Sequence, residues 1–472
     1  MRNNFMAGQM ARFFPFRPTE EQAEAIRQLA DFLTSEDPLG LLLLKGYAGT
    51  GKTSLIGATV KALNEFRQKN ILMAPTGRAA KVLARYAGQN AFTIHRKIYR
   101  KKAFSNDFEG FSPAANLHVD TLFFVDEASL ISNDTTGNRA FGGGGLLDDL
   151  IRYVYSGKRC RLVLMGDAAQ LPPVSQLESP ALNAAFLRGY RLRVDEIQLA
   201  QVARQSEDSG ILFNATLIRR RLQEGRFRHF PTLRLAGFAD VKTIGGDELV
   251  ETLSAAYHRD GLDETVMICR SNQRAGLYNK GIRNLILGRE EEIAAGDRLM
   301  VVRNSYFRMG QADEMDFLAN GEIMEVLRVR HTLEQYDFHF CDLLVRFQDD
   351  DREAELRVLT DTLHNETPAL SKEQSERLFS NVLESYAGEK TKAGRLEKVK
   401  ADPYYNAVQV KYAYALTCHK AQGGQWRNVF LDAGYLTREM PGEDLYRWLY
   451  TAFTRATQQL YLVNFPREFA TG

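Results

Sequence analysis

The stretch Gly46–Thr53 constrains this chain more than any other, because it fits the pattern G-x-x-x-x-G-K-[ST]. Backbone N–H groups of such a loop point inward and bind phosphate oxygens. Four consecutive leucines, Leu41–Leu44, precede the loop and predict a strand that is buried on both faces. The apolar pattern over Ser54–Phe66 predicts a helix, whose N-terminus adds positive charge to the anion site. The order of strand, loop and helix therefore predicts a nucleoside triphosphate site in an α/β domain.

Each residue type in the loop has a chemical reason to be there. Glycines at Gly46, Gly49 and Gly51 allow positive φ angles, which let the backbone N–H groups turn inward. The ammonium group of Lys52 reaches the β- and γ-phosphates, and the hydroxyl of Thr53 is a ligand for Mg²⁺. The loop therefore predicts a triphosphate that is bound together with Mg²⁺.

Composition sets further limits. The length of 472 residues is enough for about two to four domains. The formal net charge is only +2, so any surface that binds nucleic acid must be a local basic track. No apolar run approaches the ~18 residues that span a bilayer, and residues 1–10 do not fit a signal peptide. The cysteines are too far apart for a zinc ribbon or a disulfide framework; they are Cys160, Cys269, Cys341 and Cys418. We expect a cytoplasmic protein with no membrane partner.

Polar residues follow three further apolar runs in the first part of the chain. The runs are residues 71–74, 121–125 and 161–166, and they lead into Pro75–Lys81, Asp126–Glu127 and Asp167–Pro173. Open α/β sheets bind ligands at the carboxyl ends of their strands. In phosphate-loop ATPases, an aspartate at such an end holds Mg²⁺ and the next carboxylate orients the attacking water. We predict a first α/β domain over residues 1–198.

Residues 199–472 predict a second α/β domain that is interrupted by a segment with a different pattern of polar and apolar residues. Its short apolar runs are residues 266–269, 300–302, 429–431 and 460–463. From about 325 to 405 the pattern changes, and the alternation over 354–358 predicts antiparallel strands with one solvated face. A polar helix over 372–384 and a basic stretch over 390–400 belong to the same insertion.

Two segments of the first domain stand out by composition. Residues 96–120 combine a basic run with Phe104, Phe108 and Phe111. The basic run is consistent either with a solvated helix face or with a surface that contacts nucleic acid, and the sequence leaves both interpretations open. Residues 132–145 are rich in Asn, Thr and Gly and predict a flexible surface loop, to which we assign no function.

Nine segments, in the same order, resemble the RecD/Dda-like branch of the superfamily 1 helicases. The resemblance extends from Thr19 to about Val463. The segments are Gln22, Gly46–Thr53, Ala74–Ala80, Thr93–His95, Val125–Ser129, Gly166–Pro173, Arg204–Gln205, Thr417–Gln425 and Tyr450–Ala456. The resemblance implies an α/β fold with two RecA-like parallel-sheet domains. It also implies a small wedge insertion in the first domain, at about 96–120, and an SH3-like β-rich insertion in the second, at about 325–405.

The resemblance assigns one group of residues to ATP and Mg²⁺. Spacing alone makes Gln22 the capping-box partner of Thr19, whereas the resemblance assigns its amide to adenine. The implied catalytic residues are Lys52, Glu127, Gln170, Arg204 and Arg455. The implied ATP-binding residues are Gln22, Gly46, Gly49, Thr50, Gly51, Lys52, Thr53, Ser54 and Gly423, and the implied Mg²⁺ ligands are Thr53 and Asp126. Because Arg455 belongs to the second domain, its action on the γ-phosphate requires the two domains to close.

The resemblance assigns a second group to single-stranded DNA, which is held largely by its phosphates on the other side of the cleft. This group is Pro75, Thr76, Arg78, His95, Arg270, Thr417, His419 and Lys420. Closure with each ATP would move the domains along the strand, in the 5′-to-3′ direction that the resemblance implies. An exposed ring can block one strand at a fork, and Phe104 is the predicted wedge. The alternative, that Phe104, Phe108 and Phe111 all pack beneath the segment as a small core, stays open. The predicted partners are single-stranded DNA and 5′-tailed duplex DNA, bound by a monomer.

The leading interpretation is an ATP-dependent DNA helicase, and two others stay open. One is a DNA-stimulated ATPase or translocase that remodels protein–DNA complexes with little unwinding; strand displacement on a 5′-tailed duplex separates it from a helicase. The other is a phosphate-loop kinase that acts on a small molecule. The segments Thr417–Gln425 and Thr454–Arg455 disfavour the kinase, and DNA-stimulated ATP hydrolysis would exclude it.

Overall fold

The computed structural model describes residues 2–101, 111–133, 145–202, 208–308, 315–348, 351–436, 440, 442–466 and 469–471. Two lobes, each built on a parallel sheet, accompany a closed β-barrel. We call residues 2–202 the first lobe and residues 208–471 the second lobe, into which the barrel is inserted.

The first lobe has an open sheet with helices on both faces. Its elements are α1 (Arg2–Phe13), α2 (Glu20–Thr34), β1 (Gly40–Gly46), α3 (Lys52–Glu65), β2 (Asn70–Ala74), α4 (Gly77–Ala87), β3 (Ala91–Thr93), α5 (Ile94–Ile98), β4 (Tyr99–Lys101), β5 (Phe111–Pro113), β6 (Leu122–Val125), α6 (Leu146–Ser156), β7 (Arg161–Gly166), α7 (Ala184–Arg188) and β8 (Arg193–Leu199). The six strands are parallel, in the order β3-β2-β6-β7-β1-β8. The residues that follow β1, β2, β6 and β7 therefore share one edge of the sheet.

The four leucines of β1 divide between two cores. Leu42 and Leu44 pack with α1, α2 and α3, while Leu41 and Leu43 pack on the opposite face with α6. All four are at most 1% exposed. The prediction of a strand that is buried on both faces is confirmed.

The first core also includes α1, which the sequence analysis did not predict. Met6 and Met10 of this helix are buried against α2 and α3. The helix therefore covers the side of the lobe on which the phosphate-loop helix lies.

The second lobe repeats the parallel arrangement. Its elements, with those of the barrel, are α8 (Gly210–Glu224), β9 (Leu233–Arg234), β10 (Val241–Ile244), α9 (Leu249–Asp260), β11 (Thr265–Cys269), α10 (Asn272–Gly281), β12 (Arg298–Val301), β13 (Ser305–Arg308), β14 (Met315–Leu318), β15 (Ile323–Gln335), β16 (Phe338–Phe347), β17 (Glu353–Leu359), α11 (Asp361–His364), α12 (Lys372–Ser385), α13 (Lys392–Ala401), β18 (Val408–Tyr412), β19 (Ala415–Thr417), α14 (Cys418–Ala421), β20 (Trp426–Asp432), α15 (Glu443–Phe453), β21 (Ala456–Val463) and β22 (Ala470–Thr471). Its five-stranded sheet has the order β10-β21-β20-β11-β19, and every pair in it is parallel.

The barrel consists of β12, β15, β16, β17 and β18. The barrel begins before and ends after the range 325–405 that was predicted for the insertion, because β12 starts at Arg298 and β18 ends at Tyr412. Leu299 and Val301 of β12 pack in one core cluster and Met300 packs in another. Both faces of this strand are thus covered, so its sequence carries no alternation of polar and apolar residues.

Helices α12 and α13 pack on one side of the barrel. Phe338 and Phe340 of β16 share a buried cluster with Leu378, Val382 and Val399 of these helices. The insertion is therefore a barrel with its own helical cover.

A buried carboxylate lies next to the start of the barrel. Asp297 directly precedes β12 and is 0% exposed. It accepts hydrogen bonds from Arg283 (2.9 and 3.0 Å), Arg289 (2.6 Å), the Ala294 N–H (2.8 Å) and the Tyr414 hydroxyl (2.7 Å). A buried charge with this many donors is fully satisfied, and the network fixes how the barrel leaves the second lobe.

None of the helices in the described ranges has both the length and the apolar character that crossing a membrane requires.

Candidate nucleotide and nucleic-acid sites

The phosphate loop lies between β1 and α3, as the pattern predicts. Gly49 and Gly51 have φ angles of 74° and 88°. A Cβ at Gly51 would lie 2.7 Å from the Gln22 amide nitrogen, so a larger residue would displace that contact. Lys52 donates to the carbonyl oxygens of Gly46 and, at 3.0 Å, of Tyr47. These two hydrogen bonds hold the lysine side chain against the loop.

The side chain of Gln22 forms hydrogen bonds with two residues of the first lobe, Thr19 and Thr50. Its side-chain oxygen accepts from the Thr19 N–H (3.0 Å), and the Thr19 hydroxyl accepts from the Gln22 N–H (3.3 Å). This is the capping box that spacing alone predicted. The amide nitrogen of Gln22 donates to the Thr50 carbonyl (2.9 Å). The side chain therefore braces the phosphate loop, and its assignment to adenine stays a prediction of the resemblance.

Asp126 and Glu127 follow β6 at the same edge of the sheet. Asp126 accepts from the Glu127 N–H (2.8 Å), and Glu127 has a φ angle of 52°. A non-glycine residue in this left-handed region is uncommon and often marks a functional position. Burial raises the pKa of both carboxyl groups, and the charge of Asp126 raises that of Glu127 further. Among the described residues, one carboxylate oxygen of Glu127 is buried with no hydrogen-bond partner.

These observations fit a divalent cation. Two partly buried carboxyl groups with raised pKa values are stabilised as anions by a nearby positive charge. No cluster of three or more His, Cys, Asp or Glu side chains that could hold a metal occurs in the described ranges. A site with few protein ligands is typical of Mg²⁺, which keeps water and substrate phosphate oxygens in its coordination shell.

Arg455, which follows α15 of the second lobe, reaches this pair of carboxylates. Its guanidinium lies 4.0 Å from Glu127, and its side chain is only 4% exposed. It donates to the carbonyl oxygens of Thr451 (3.0 Å) and Gly424 (3.2 Å) and to the Thr454 hydroxyl (3.1 Å). The arginine is therefore held in one orientation, with its charge directed at the first lobe.

The segment after β7 is bound by the second lobe. The Leu171 N–H donates to the Thr451 hydroxyl (2.9 Å), and Gln422 donates to the Leu171 carbonyl (2.8 Å). Arg447 donates to the carbonyl of Gln170 (3.2 Å). The side-chain oxygen of Gln170 is buried and has no partner in the described parts of the chain. It is therefore available to a ligand in the cleft.

A groove of about 520 Å³ lies between the lobes and the barrel. Six of the eight residues predicted to bind DNA line it: Pro75, Thr76, Arg78, His95, His419 and Lys420. The barrel contributes the turn of Asn320 and Gly321, and Lys420 donates to the Asn320 side chain. The other two lie at neighbouring strand ends, because Arg270 follows Cys269 and Cys269 is paired with Thr417.

Burial changes the charge that this groove offers. It lowers the pKa of His95 to about 4, so the ring is neutral at neutral pH. It also lowers the pKa of Lys420 to about 8. Contact with phosphate through His95 would therefore use a hydrogen bond, whereas Lys420 carries a charge that is lost in mild alkali.

Arg78 is stacked on Trp426 of the second lobe, with the guanidinium carbon 4.2 Å from the ring centroid. A Cβ at Gly424 would lie 2.4 Å from that ring, so only glycine leaves room for it. A Cβ at Gly423 would lie 3.0 Å from the Thr76 hydroxyl. Gly423 therefore lies next to a residue that lines the groove, whereas the resemblance assigned Gly423 to ATP binding. Its neighbour Gly424 provides the carbonyl that accepts from Arg455.

Several predicted features lie outside the described residues. They are Arg204, Phe104, Phe108 and most of the Gly-rich segment 132–145. The described base of the predicted wedge is an antiparallel hairpin of β4 and β5. Tyr99 at this base donates to Asp149 of α6 (2.7 Å).

Several residues that join the two lobes are not among the site residues predicted from the sequence. They are Arg219, Gln422, Trp426, Arg447, Tyr450 and Thr451. Three of them belong to segments that carried the resemblance, but their partners are hundreds of residues away in sequence. No local pattern identifies such partners.

Comparison with known proteins agrees with this geometry. Residues 17–226 match the family model described as AAA domain, and residues 412–463 match the UvrD-like helicase C-terminal domain. Over 196 residues the chain is 32% identical to the ATP-dependent RecD2 DNA helicase of Deinococcus radiodurans. The two family models and this relative together support a helicase of superfamily 1 that is similar to RecD.

Other known proteins match longer parts of the chain. The ATP-dependent DNA helicase dda of Enterobacteria phage T4 is 23% identical over 300 residues. The match covers 41% of this chain and 23% of the Deinococcus protein, and 61% of this chain and 63% of the phage protein. A crystal structure of Pif1 helicase from Bacteroides, in complex with ADP-AlF3 and ssDNA, aligns with a TM-score of 0.47 and 16% identity, over 96% of this chain and 94% of that one.

Proposed function

We propose that this chain is an ATP-dependent DNA helicase that moves 5′ to 3′ on single-stranded DNA and unwinds duplex DNA. The observation that carries the proposal is the position of Arg455. This buried arginine of the second lobe lies 4.0 Å from Glu127 of the first lobe. The cleft thus has a phosphate loop and two carboxylates on one wall and a cation on the other, which is the arrangement of an ATPase that works by lobe closure.

In the proposed reaction, the backbone N–H groups of the loop and Lys52 bind the β- and γ-phosphates. Thr53 and Asp126 would hold Mg²⁺, which neutralises charge on the phosphates. Glu127 accepts the proton of the attacking water through its unpartnered oxygen. Arg455 stabilises the charge that develops on the γ-phosphate, and the side-chain NH2 group of Gln170 donates a hydrogen bond to the same phosphate.

The groove between the lobes suits a single strand of DNA. Its polar walls include Thr76, Arg78 and Lys420, and its apolar lining includes Pro75 and Val174. Phosphates bind to the former, and the latter accepts the faces of bases without regard to sequence. Because the groove has walls from both lobes, a change in the angle between the lobes moves one set of DNA contacts relative to the other. The 5′-to-3′ direction rests on the resemblance alone.

A strand-displacement assay tests the proposal. The purified chain is incubated with ATP, Mg²⁺ and duplexes that carry a 5′ tail, a 3′ tail or no tail. We expect displacement of the 5′-tailed duplex only, and none with Lys52→Ala. Displacement of the 3′-tailed duplex instead would contradict the direction. DNA-stimulated ATP hydrolysis without displacement of any duplex would identify a translocase that remodels protein–DNA complexes.

A further inference from the structure

The tip of the phosphate loop is held by side chains of the second lobe. The Ala48 N–H donates to the Tyr450 hydroxyl (2.9 Å). The guanidinium of Arg219 lies 4.4 Å from the centroid of the Tyr47 ring. Gln223 donates to the Tyr47 hydroxyl (2.9 Å). Two adjacent loop residues thus have three partners from the other lobe, and we call this group of five residues the loop clamp.

Tyr450 also connects the loop to the segment after β7. Its hydroxyl donates to the Asp167 carboxylate at 2.5 Å. The ring is 1% exposed, and Asp167 is equally buried. Burial and the charge of Asp167 raise the pKa of Tyr450 well above its usual value, so the phenol stays protonated and remains a donor. One hydroxyl therefore joins two ligand-binding loops of the first lobe to α15.

Arg219 is also buried, with 7% of its surface exposed. It donates to the Ala200 carbonyl (2.9 Å), while its Nε has no partner among the described residues. Arg219 belongs to α8, and α8 packs directly on α15. The partners of the loop tip therefore belong to one closely packed pair of helices.

The same helix pair is connected to the catalytic arginine. Arg455 lies two residues after Phe453, the last residue of α15. Trp426, which stacks on Arg78 beside the groove, donates its backbone N–H to the Arg455 carbonyl (2.9 Å). The loop clamp, the catalytic arginine and one wall of the groove are thus joined by short contacts.

We propose that Tyr450 and Arg219 are positioning residues that make the shape of the phosphate loop depend on the position of the second lobe. This inference rests on the proposed ATP and DNA sites. DNA that bridges the lobes fixes the second lobe, and through the loop clamp it fixes the N–H groups that receive phosphate. Nucleotide and DNA then strengthen each other's binding, and by linkage the factor is the same in both directions.

The test is Tyr450→Phe, which removes the hydroxyl and keeps the ring. The matched control is Tyr446→Phe on the same helix, whose hydroxyl donates to the His229 carbonyl (2.7 Å) in the second lobe. The dissociation constant of a non-hydrolysable ATP analogue is measured with Mg²⁺, with and without saturating oligo-dT. The ratio of the two constants is the coupling factor. Thermal unfolding of each variant checks that it is folded.

We expect a wild-type coupling factor of about fivefold or more. Tyr450→Phe should reduce this factor to within about twofold of unity, and Tyr446→Phe should retain it. The affinity of Tyr450→Phe for oligo-dT without nucleotide should stay within about twofold of wild type, because the hydroxyl does not line the groove. Should Tyr450→Phe not fold, Tyr47→Phe removes the contact with Gln223 from the exposed side of the loop clamp and is expected to lower the factor as well.

Three results would overturn the inference. The first is a coupling factor in Tyr450→Phe equal to that of the wild type. The second is an equal loss of nucleotide affinity with and without DNA, which would mean that Tyr450 only shapes the site. The third is a wild type that binds both ligands independently. A wild type that binds no nucleotide would overturn the proposed function as well, so the two failures are distinguishable.

Discussion

Replacement of Arg455 by alanine perturbs the proposed mechanism at the contact between the lobes. Two unit charges 4.0 Å apart interact by about 4 kcal/mol at an effective dielectric constant of about 20. If the charge that develops on the γ-phosphate interacts equally strongly with Arg455, removal of the arginine slows hydrolysis by about 10³-fold. Arginine residues in this role are worth about 10³–10⁵ in rate, so we expect Arg455→Ala to lose at least a factor of about 10³.

The assay is steady-state ATP hydrolysis with saturating single-stranded DNA, together with nucleotide affinity from a fluorescent-nucleotide titration. We expect kcat to collapse while nucleotide affinity falls only modestly, because the arginine acts mainly in the transition state. Arg455→Lys keeps the charge but not the planar group held by three hydrogen bonds, and its kcat should be intermediate. Arg427→Ala is the control, since this half-exposed arginine has Asp260 and Glu264, both at 3.8 Å, as its ion-pair partners among the described residues. Unchanged kcat with weaker nucleotide binding in Arg455→Ala would refute the reasoning.

Three other predictions test separate parts of the account. Lys52→Ala should abolish ATP hydrolysis and leave oligo-dT affinity, measured by fluorescence anisotropy, near that of the wild type; equal loss of both would contradict a cleft with two distinct sites. Because the pKa of Lys420 is about 8, its charge is present below that pH and lost above it. A phosphate stabilises the charged form, so oligo-dT affinity should fall between about pH 7 and pH 9. Lys420→Arg, which stays charged, should flatten this dependence, and an unchanged pH profile in that variant would exclude Lys420 from the contact. Phe104→Ala should reduce strand displacement severalfold while DNA-stimulated ATP hydrolysis stays near wild type; a parallel fall in both would exclude Phe104 as the wedge.

Much of the fold could be predicted because local signals were strong. The leucine run of β1, the glycines of the loop and the carboxylates after β6 each have a short-range physical cause. The start of the barrel gave no such signal. Leu299–Val301 has apolar contacts on both faces, so its pattern does not differ from that of a strand in a parallel sheet. Closure of a barrel is decided by partners far along the chain.

The site shows the same limit. The types of Lys52, Asp126 and Glu127 indicate their chemistry, whereas the hydroxyl of Tyr450 has partners 402 and 283 residues away. Gln22 illustrates a second limit. Spacing predicted the capping box correctly, but only the structure adds the bond to Thr50 that ties the cap to the phosphate loop.

The central claim is that DNA binding between the lobes completes the ATPase site. The most direct measurement is the rate of ATP hydrolysis by the purified chain with and without single-stranded DNA, at saturating ATP and Mg²⁺. We expect the rate to rise by about tenfold or more on addition of oligo-dT, and to be near zero in both conditions for Lys52→Ala. Hydrolysis at the same rate with and without DNA would contradict it.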